Sequence, residues 1–499
     1  MAIVNDKIQD VYGLTPLQEG MLFHYLSEEN TTAYVLQTEL KVEGLYDINH
    51  YRDALYLLFL RYDVLRTMFV HEKLKEPKQV VLREREPEFN IIDMVGIDNI
   101  EQKIKVEKIK TEDVDRRFDL KNDSLLRVTI IKLEEQKCLM IWTSHHIIMD
   151  GWCNGIIFEK FFDYYTRLNN GESYDEIKKT IDEETSRSPL YSDYIKWLNK
   201  QDKEKASKYW KDELDDYEND AEIKPMKKPE PTEEQVRELW GELDVDITNK
   251  IKDFAGSIEA TINNVAETAV GILIQKYTRS EDVVFGKVVS GRNVPIDGIE
   301  EVVGMFINTI PVRIVLDKDI TVSELVKKQY IKSVESMNFD YCALAEIQSN
   351  TLLKSDLIKI SYVYENYLSG ISTEKEDGKE KGDYSITLES AREQTHYGIS
   401  FAAMEIEGKL SFKILYNPSK FCDDEVKLIM DKLLNICKQM AINSNSKVSE
   451  IEVINGEEKR NVLVNFNDMY ADYSSDKTIV ELFEEQVEKT PENIAVVYE

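Results

Sequence analysis

Leu139-Met140-Ile141-Trp142-Thr143-Ser144-His145-His146-Ile147-Ile148-Met149-Asp150-Gly151 is the stretch on which the reading of this chain turns. Its first four residues are apolar and read as a strand. From Gly155 to Leu168 the pattern changes: Ile156, Ile157, Phe161, Tyr164 and Tyr165 recur at helical spacing. The two imidazoles therefore stand on a strand-to-helix loop, a place where α/β proteins carry catalytic groups. Neighbours at a strand's exit point to opposite sides. One histidine is expected to face a site and the other the body of the protein. Asp150, four residues past His146, is close enough to fix the loop. Gly151 permits a backbone geometry closed to other residues. The residues alone leave two further accounts open. One is a histidine pair packed beside a helix cap. The other is a His/His/Asp zinc set, although no further His or Cys cluster completes its shell.

Outward from that loop, strands and helices alternate. Leu125 to Leu133 and Cys138 to Ser144 read as strands about a polar turn. Thr15 suits an N-cap, Pro16 a first helical position and Gln18 a capping-box partner. Val35 to Val42, Leu65 to Val70 and Lys78 to Leu82 read as strands, and Ile48 to Tyr62 as a helix. Asn169 to Pro189 is polar and charged, and a lobe boundary is placed there. Beyond it come a tyrosine- and tryptophan-rich helical region from Tyr191 to Trp210, a Lys/Glu/Pro loop from Lys224 to Gln235, and a helix from Thr261 to Tyr277. Asp282 to Val289, Val312 to Leu316 and Leu410 to Tyr416 read as strands. Ser369 to Asp383 is a charged loop, and Asp423 to Asn443 a helix. After about Asn455 the chain turns polar and reads as a linker through Tyr470 to Asp476. Thr478 to Glu488 is amphipathic, and Ile494 to Tyr498 begins a strand. The alternation indicates an α/β or α+β fold. At 499 residues the chain exceeds one ordinary core.

Charge narrows the partners. There are 63 basic and 94 acidic side chains, for a net charge of −31. Such a surface repels phosphate backbones and argues against nucleic acid and anionic membranes, though a local basic patch for a phosphorylated partner is compatible with it. The five cysteines, Cys138, Cys153, Cys342, Cys422 and Cys437, are odd in number and form no CxxC, which fits a reducing cytosol. No apolar run reaches the length of a membrane span, and Met1 to Asp10 has no signal-peptide core. A cytoplasmic location is expected.

The string HHxxxDG resembles the active-site motif of nonribosomal peptide synthetase condensation domains. The flanks SHHIIMDGWCNGII and LTPLQEGMLFH resemble the subtype that takes an L-configured donor. In the same order, Arg61-Tyr-Asp-Val-Leu-Arg66-Thr67 resembles the family's RHxxLRT block, and Tyr191 to Trp210 its YxDYIxWLxxQD…YW block. Asp282 to Arg292 and Val303 to Arg313 resemble its second-lobe blocks. The resemblance runs from Val11 to Glu450. Leu482 to Val497 resembles the start of an adenylation domain. Two blocks depart from the pattern. Glu393-Gln-Thr-His396-Tyr397 stands where the family often has ExTNY, and Tyr364-Glu-Asn-Tyr367-Leu368 where it has FENYP.

The resemblance implies two chloramphenicol-acetyltransferase-like lobes forming a V-shaped pseudo-dimer. Residues 1–180 would be the N-lobe with the catalytic loop and 181–455 the C-lobe. Residues 456–477 would be a linker and 478–499 the beginning of an adenylation domain. Donor and acceptor carrier domains would send phosphopantetheine arms into a shared tunnel, with no cofactor or metal bound directly. His146 would be the functional imidazole, Gly151 a backbone donor to the oxyanion, and His145 a residue that orients the loop. Asp150 would pair with the arginine at Arg66 as structural support. The unit would be monomeric within a multidomain synthetase. An epimerization domain shares HHxxxDG but is not normally followed by an adenylation domain, and a heterocyclization domain would carry aspartates in place of the histidines. A plant-type coenzyme-A acyltransferase would need a DFGWG-like block, and an inactive carrier-docking scaffold has no need of His146.

Overall fold

The computed structural model describes residues 7–499 apart from 28–31, 33, 233, 235, 318, 366–383, 393–396, 455, 469–475, 495 and 498–499. The chain divides into two units, Met1–Val453 and Ile454–Glu499.

The first unit is mixed α/β, built on three sheets. The strand Lys137–His145, which leads into the paired histidines, lies in the middle of a five-stranded sheet, between Val35–Gly44 and Leu126–Glu134, antiparallel to both. Glu88–Asp93 extends that sheet in parallel beyond Leu126–Glu134. At the opposite edge Tyr384–Arg392 pairs antiparallel with Val35–Gly44. Alternation along these strands sends Leu40, Val42, Met140 and Trp142 into the core. The helix Trp152–Asn169 covers them, with Phe158 and Phe161 set edge-on to Trp142 at 5.2 and 4.9 Å. The helix Ile48–Arg61 packs against Trp152–Asn169. A small sheet of Ile8–Tyr12, Lys78–Leu82 and Thr67–Val70 stands beside this layer.

The other large sheet runs in the order Asn308–Val315, Asp282–Val289, Ile360–Glu365, Ile399–Ile406, Lys409–Tyr416 and Arg237–Glu242. Its core-facing side is covered by Ile262–Thr278, with Val245–Ser257 and Asp423–Ile442 alongside. Gly271 is what lets the first of these helices approach so closely, since a Cβ there would lie 2.2 Å from Ile314 Cδ1.

Several expectations need correction. Asn169 to Pro189 is not a bare boundary. It holds the helix Tyr174–Thr185, started by a Ser173–Glu176 capping box, with Ile177 and Ile181 buried. Nor does the chain part cleanly near residue 180, because Tyr191, Phe306 and Ile386 sit in the same core as Tyr51 and Trp142. In the second unit the expected linker begins with a helix, Gly456–Leu463. The expected amphipathic helix spans Ile479–Lys489, capped by Thr478 and Glu481. The described residues of Ile494 to Tyr498 form no strand. The Ser369 to Asp383 loop, and all of Tyr470 to Asp476 but its last residue, lie outside the described residues.

Candidate active site

The strand Lys137–His145 delivers the first imidazole to its last position, and a single 3-10 turn, His146–Ile148, carries the second. The alternation expected at a strand exit is present. His145 is buried, with its ring among Tyr25, Tyr34 and Phe118. Its Nδ1 accepts the Ile147 N–H at 3.1 Å, which ties the turn back on itself. Burial, and then the neighbouring His146, push its pKa down to about 3. His145 is therefore neutral at physiological pH. Below pH 6.5 the unfolded chain gains a proton that the native state refuses, so this residue makes stability fall as pH drops toward 3.

His146 faces the other way. Its backbone N–H donates to Tyr34 O at 2.7 Å. Its ring lies on the wall of a cavity of about 580 Å³. Gly151 and Trp152 form the same wall, and Ser290, Arg292, Ile307, Ser361, Ser400 and Leu415 close the cavity from the other large sheet and its loops. The Nδ1 of His146 is buried with no hydrogen-bond partner among the described residues.

The loop is clamped from beneath. Gln18 Nε2 donates to Ile147 O at 2.8 Å, and Gln18 Oε1 accepts the Thr15 N–H at 2.9 Å. Gln79 shares the clamp through amide hydrogen bonds with Gln18. The capping box at Thr15 and Gln18 thus forms as expected and also holds the His146–Ile148 turn.

Asp150 is buried, but its partner is not Arg66. Its Oδ2 accepts from Arg292 Nη1 at 2.9 Å and from the Phe306 N–H at 3.0 Å, while the Cys153 thiol donates to Oδ1 at 3.2 Å. Arg292 also donates to Val302 O and lies over the Phe306 ring at 4.2 Å. Gly291 makes this approach possible. It has φ +65°, and a Cβ there would fall 1.9 Å from Phe306 O. Arg66 leaves a short 3-10 turn in the direction of the three-stranded sheet. There it donates to Leu82 O at 3.0 Å, Leu60 O at 3.1 Å, Phe59 O and Gln9 Oε1. Its hydrogen bonds go to three main-chain carbonyls and the Gln9 side chain, none of them shared with Asp150.

Gly151 also differs from expectation. Its φ of −60° and ψ of −30° are right-handed helical, open to any residue. It caps the helix Trp152–Asn169 and contributes backbone to the cavity wall. Cys153 sits next to this group as a buried thiol pushed up to about 12 by burial and by Asp150, so it supplies no thiolate nucleophile. The structure thus brings together His145, His146, Asp150 and Gly151 and leaves Arg66 apart. It adds Arg292, whose signal was the Ser290-Gly291-Arg292 run. The departures at Glu393 to His396 and at Leu368 lie outside the described residues.

The mixed α/β fold, built on two large sheets with the His146 imidazole facing a cavity between them, is chloramphenicol-acetyltransferase-like. The Condensation domain family model matches residues 8–463, and the chain belongs to that family of amide-forming acyltransferases. It is similar to gramicidin S synthase 2 of Brevibacillus brevis, with 37% identity over 496 residues, 99% of this chain and 11% of that protein. It is also similar to tyrocidine synthase 2 of Brevibacillus parabrevis, with 34% identity over 495 residues, 99% of this chain and 13% of that protein. The chain therefore spans only about a tenth of the length of such relatives. Among solved structures, a holo four-domain nonribosomal peptide synthetase bound to AMP and glycine matches with TM-score 0.76 at 16% identity, over 98% of this chain and 37% of that one. The first condensation domain of the CDA synthetase matches with TM-score 0.67 at 15% identity, over 90% of this chain and all of that one. These structures share its fold. Among the described residues no helix is long and apolar enough to cross a membrane.

Proposed function

We propose that this chain joins a donor aminoacyl or peptidyl thioester to the amine of an acceptor aminoacyl thioester, both delivered on the phosphopantetheine arms of carrier domains. The supporting observation is the placement of His146 and the Gly151 backbone on a cavity of about 580 Å³ between the two large sheets. The acceptor amine attacks the thioester carbonyl, the C–N bond forms, and the C–S bond breaks to release the donor's thiol. A thioester is already activated, so no covalent enzyme intermediate is needed. His146 takes the amine proton or holds the amine by hydrogen bonding, help worth about 10²–10⁴-fold. Holding both tethered groups in line contributes further, and the Gly151 N–H is directed to the tetrahedral oxyanion. His145 and Asp150 fix the turn that presents these groups.

The finer assignments belong to the same proposal. The donor is L-configured, residues 478–499 begin an adenylation domain, and the unit works as a monomer inside a cytoplasmic synthetase. Loading two carrier domains with aminoacyl groups and detecting dipeptide on the acceptor arm tests the reading. Wild type should form dipeptide, and faster with an L-donor than with its D-epimer. An inert wild type would remove the condensation reading, whereas equal or reversed rates would remove only the L-donor assignment.

A further inference from the structure

The ionisable groups lining the His146 cavity can be accounted for one by one. Arg292 is neutralised by Asp150 at 2.9 Å, Lys287 by Glu267 at 2.5 Å, and Glu365 has Lys413 at 3.8 Å. Glu300 is exposed to solvent. Asp340 remains. Its carboxyl forms no ion pair, and no hydrogen bond to another side chain, among the described residues.

The loop that carries it is pinned. Asn308 Nδ2 donates to Asp340 O and to Cys342 O, each at 2.7 Å, and Phe339 stacks on Tyr209 at 4.4 Å. An acid half-buried without a counter-charge costs stability, yet the fold holds this one at the cavity wall.

We propose that Asp340 is a recognition residue that binds the alkylammonium group of an aminoacyl substrate inside the cavity. The proposal rests on the condensation reading for the nature of the ligand. An ordinary α-amine has a pKa of about 8, so the nucleophile arrives largely as a cation at neutral pH. A cation in this space needs an acid, and the other acids lining the cavity are paired, as Glu365 is, or exposed to solvent, as Glu300 is. Burial pushes the Asp340 pKa up to about 7, which makes the carboxyl ready to ionise when an ammonium arrives. Facing groups are Tyr194, raised above its ordinary value by burial, Tyr341, and Arg292 with its partner Asp150, while His146 lines the same cavity. The ammonium has two possible sources, the α-amine that every acceptor carries or a basic side chain.

Calorimetric titration separates them. The probes are alanyl-aminopantetheine, a stable amide, its N-acetyl derivative, and N-acetyl-ornithyl-aminopantetheine. Wild type should bind at least one ammonium probe about tenfold more tightly than the acetylated alanyl probe. Asp340→Asn should abolish that preference and Asp340→Glu should restore most of it. Preference for the alanyl probe identifies the α-ammonium, and preference for the ornithyl probe alone identifies a basic side chain. In wild type the preference should fade from pH 7.5 to 5.5 as the carboxyl protonates, and the Asn variant should show no such fall. Between its ordinary 3.8 and about 7 this acid holds its proton more strongly in the folded state, so it lowers stability as pH rises through that window. Asp340→Asn should therefore melt no lower than wild type at pH 8, which keeps misfolding from imitating the result. Equal binding of charged and acetylated probes by wild type, or an Asn variant that keeps the preference, overturns the proposal. Failure of the condensation reading looks different: no dipeptide from a protein that still discriminates the cation.

Discussion

Arg66 and Arg292 are buried to the same depth, each about 6% exposed, and are held by opposite means. Arg292 meets a carboxylate, Asp150, in a pocket that also satisfies the carboxylate with the Phe306 N–H. Arg66 is wrapped by three main-chain carbonyls and a glutamine amide. Its nearest acid, Asp63, offsets part of the cost of its burial and is itself pushed up by burial. The first arrangement ties the histidine turn to a loop 142 residues further along the chain. The second ties two neighbouring parts of the N-terminal half to each other. Of these two buried charges, the one beside the histidine turn is the one whose counter-charge comes from a distant part of the chain.

The largest effect should follow from breaking the first arrangement. Asp150→Ala leaves a guanidinium buried with no acid, and Arg292→Ala leaves a carboxylate without its cation. Each should cost roughly 3–5 kcal/mol in chemical denaturation. A loss under about 1 kcal/mol for either would mean that the pair is not the clasp between the lobes. Condensation activity in these variants would fall as a consequence of the displaced turn.

His146→Ala should behave in the reverse manner. Its ring faces the cavity, so water can replace it and the melting temperature should hardly change. Dipeptide formation should fall by at least about 10²-fold. Full activity in this variant would transfer the chemistry to positioning alone.

The site was legible in the chain where its information is local. Strand, imidazole pair, turn and helix occupy Lys137 to Asn169 without interruption, and their periodicities are unobstructed. The same holds for Ile262–Thr278, whose buried residues run almost without a break. The Asp150–Arg292 pair was not legible, because the resemblance pointed to Arg66 and the two partners lie 142 residues apart, so that only the fold brings them together. The helix Asn99–Arg116 escaped for another reason. Two of its isoleucines, Ile100 and Ile104, are 72% and 66% exposed, while Gln102 is buried. Its apolar pattern does not report which face meets the sheet. Asp340 was invisible because nothing in Phe339-Asp340-Tyr341 distinguishes a cavity carboxyl from a solvated one. The missing ion pair becomes evident only when the other charges on that wall are seen to be paired or exposed to solvent.

Arg66→Ala should be milder than either clasp variant. The carbonyls of Phe59, Leu60 and Leu82 are neutral, so each lost bond leaves an acceptor rather than a stranded partner charge, and the burial-raised Asp63 nearby takes up a proton more readily once the cation is gone. The smallest effect, and the sharpest test of the difference between the two arginines, is the coupling to Asp150. Arg66 and Asp150 share no hydrogen-bond partner, so Asp150→Ala and Arg66→Ala should add to within about 0.5 kcal/mol. Asp150→Ala and Arg292→Ala should not add, because the second change removes the charge that the first one strands. Their double variant should recover about 0.5–3 kcal/mol relative to the sum of the singles. Urea denaturation of the five variants measures both cycles under one set of conditions. Coupling between Asp150 and Arg66 as large as that between Asp150 and Arg292 would restore Arg66 as a partner of the catalytic turn and erase the distinction drawn between the two arginines.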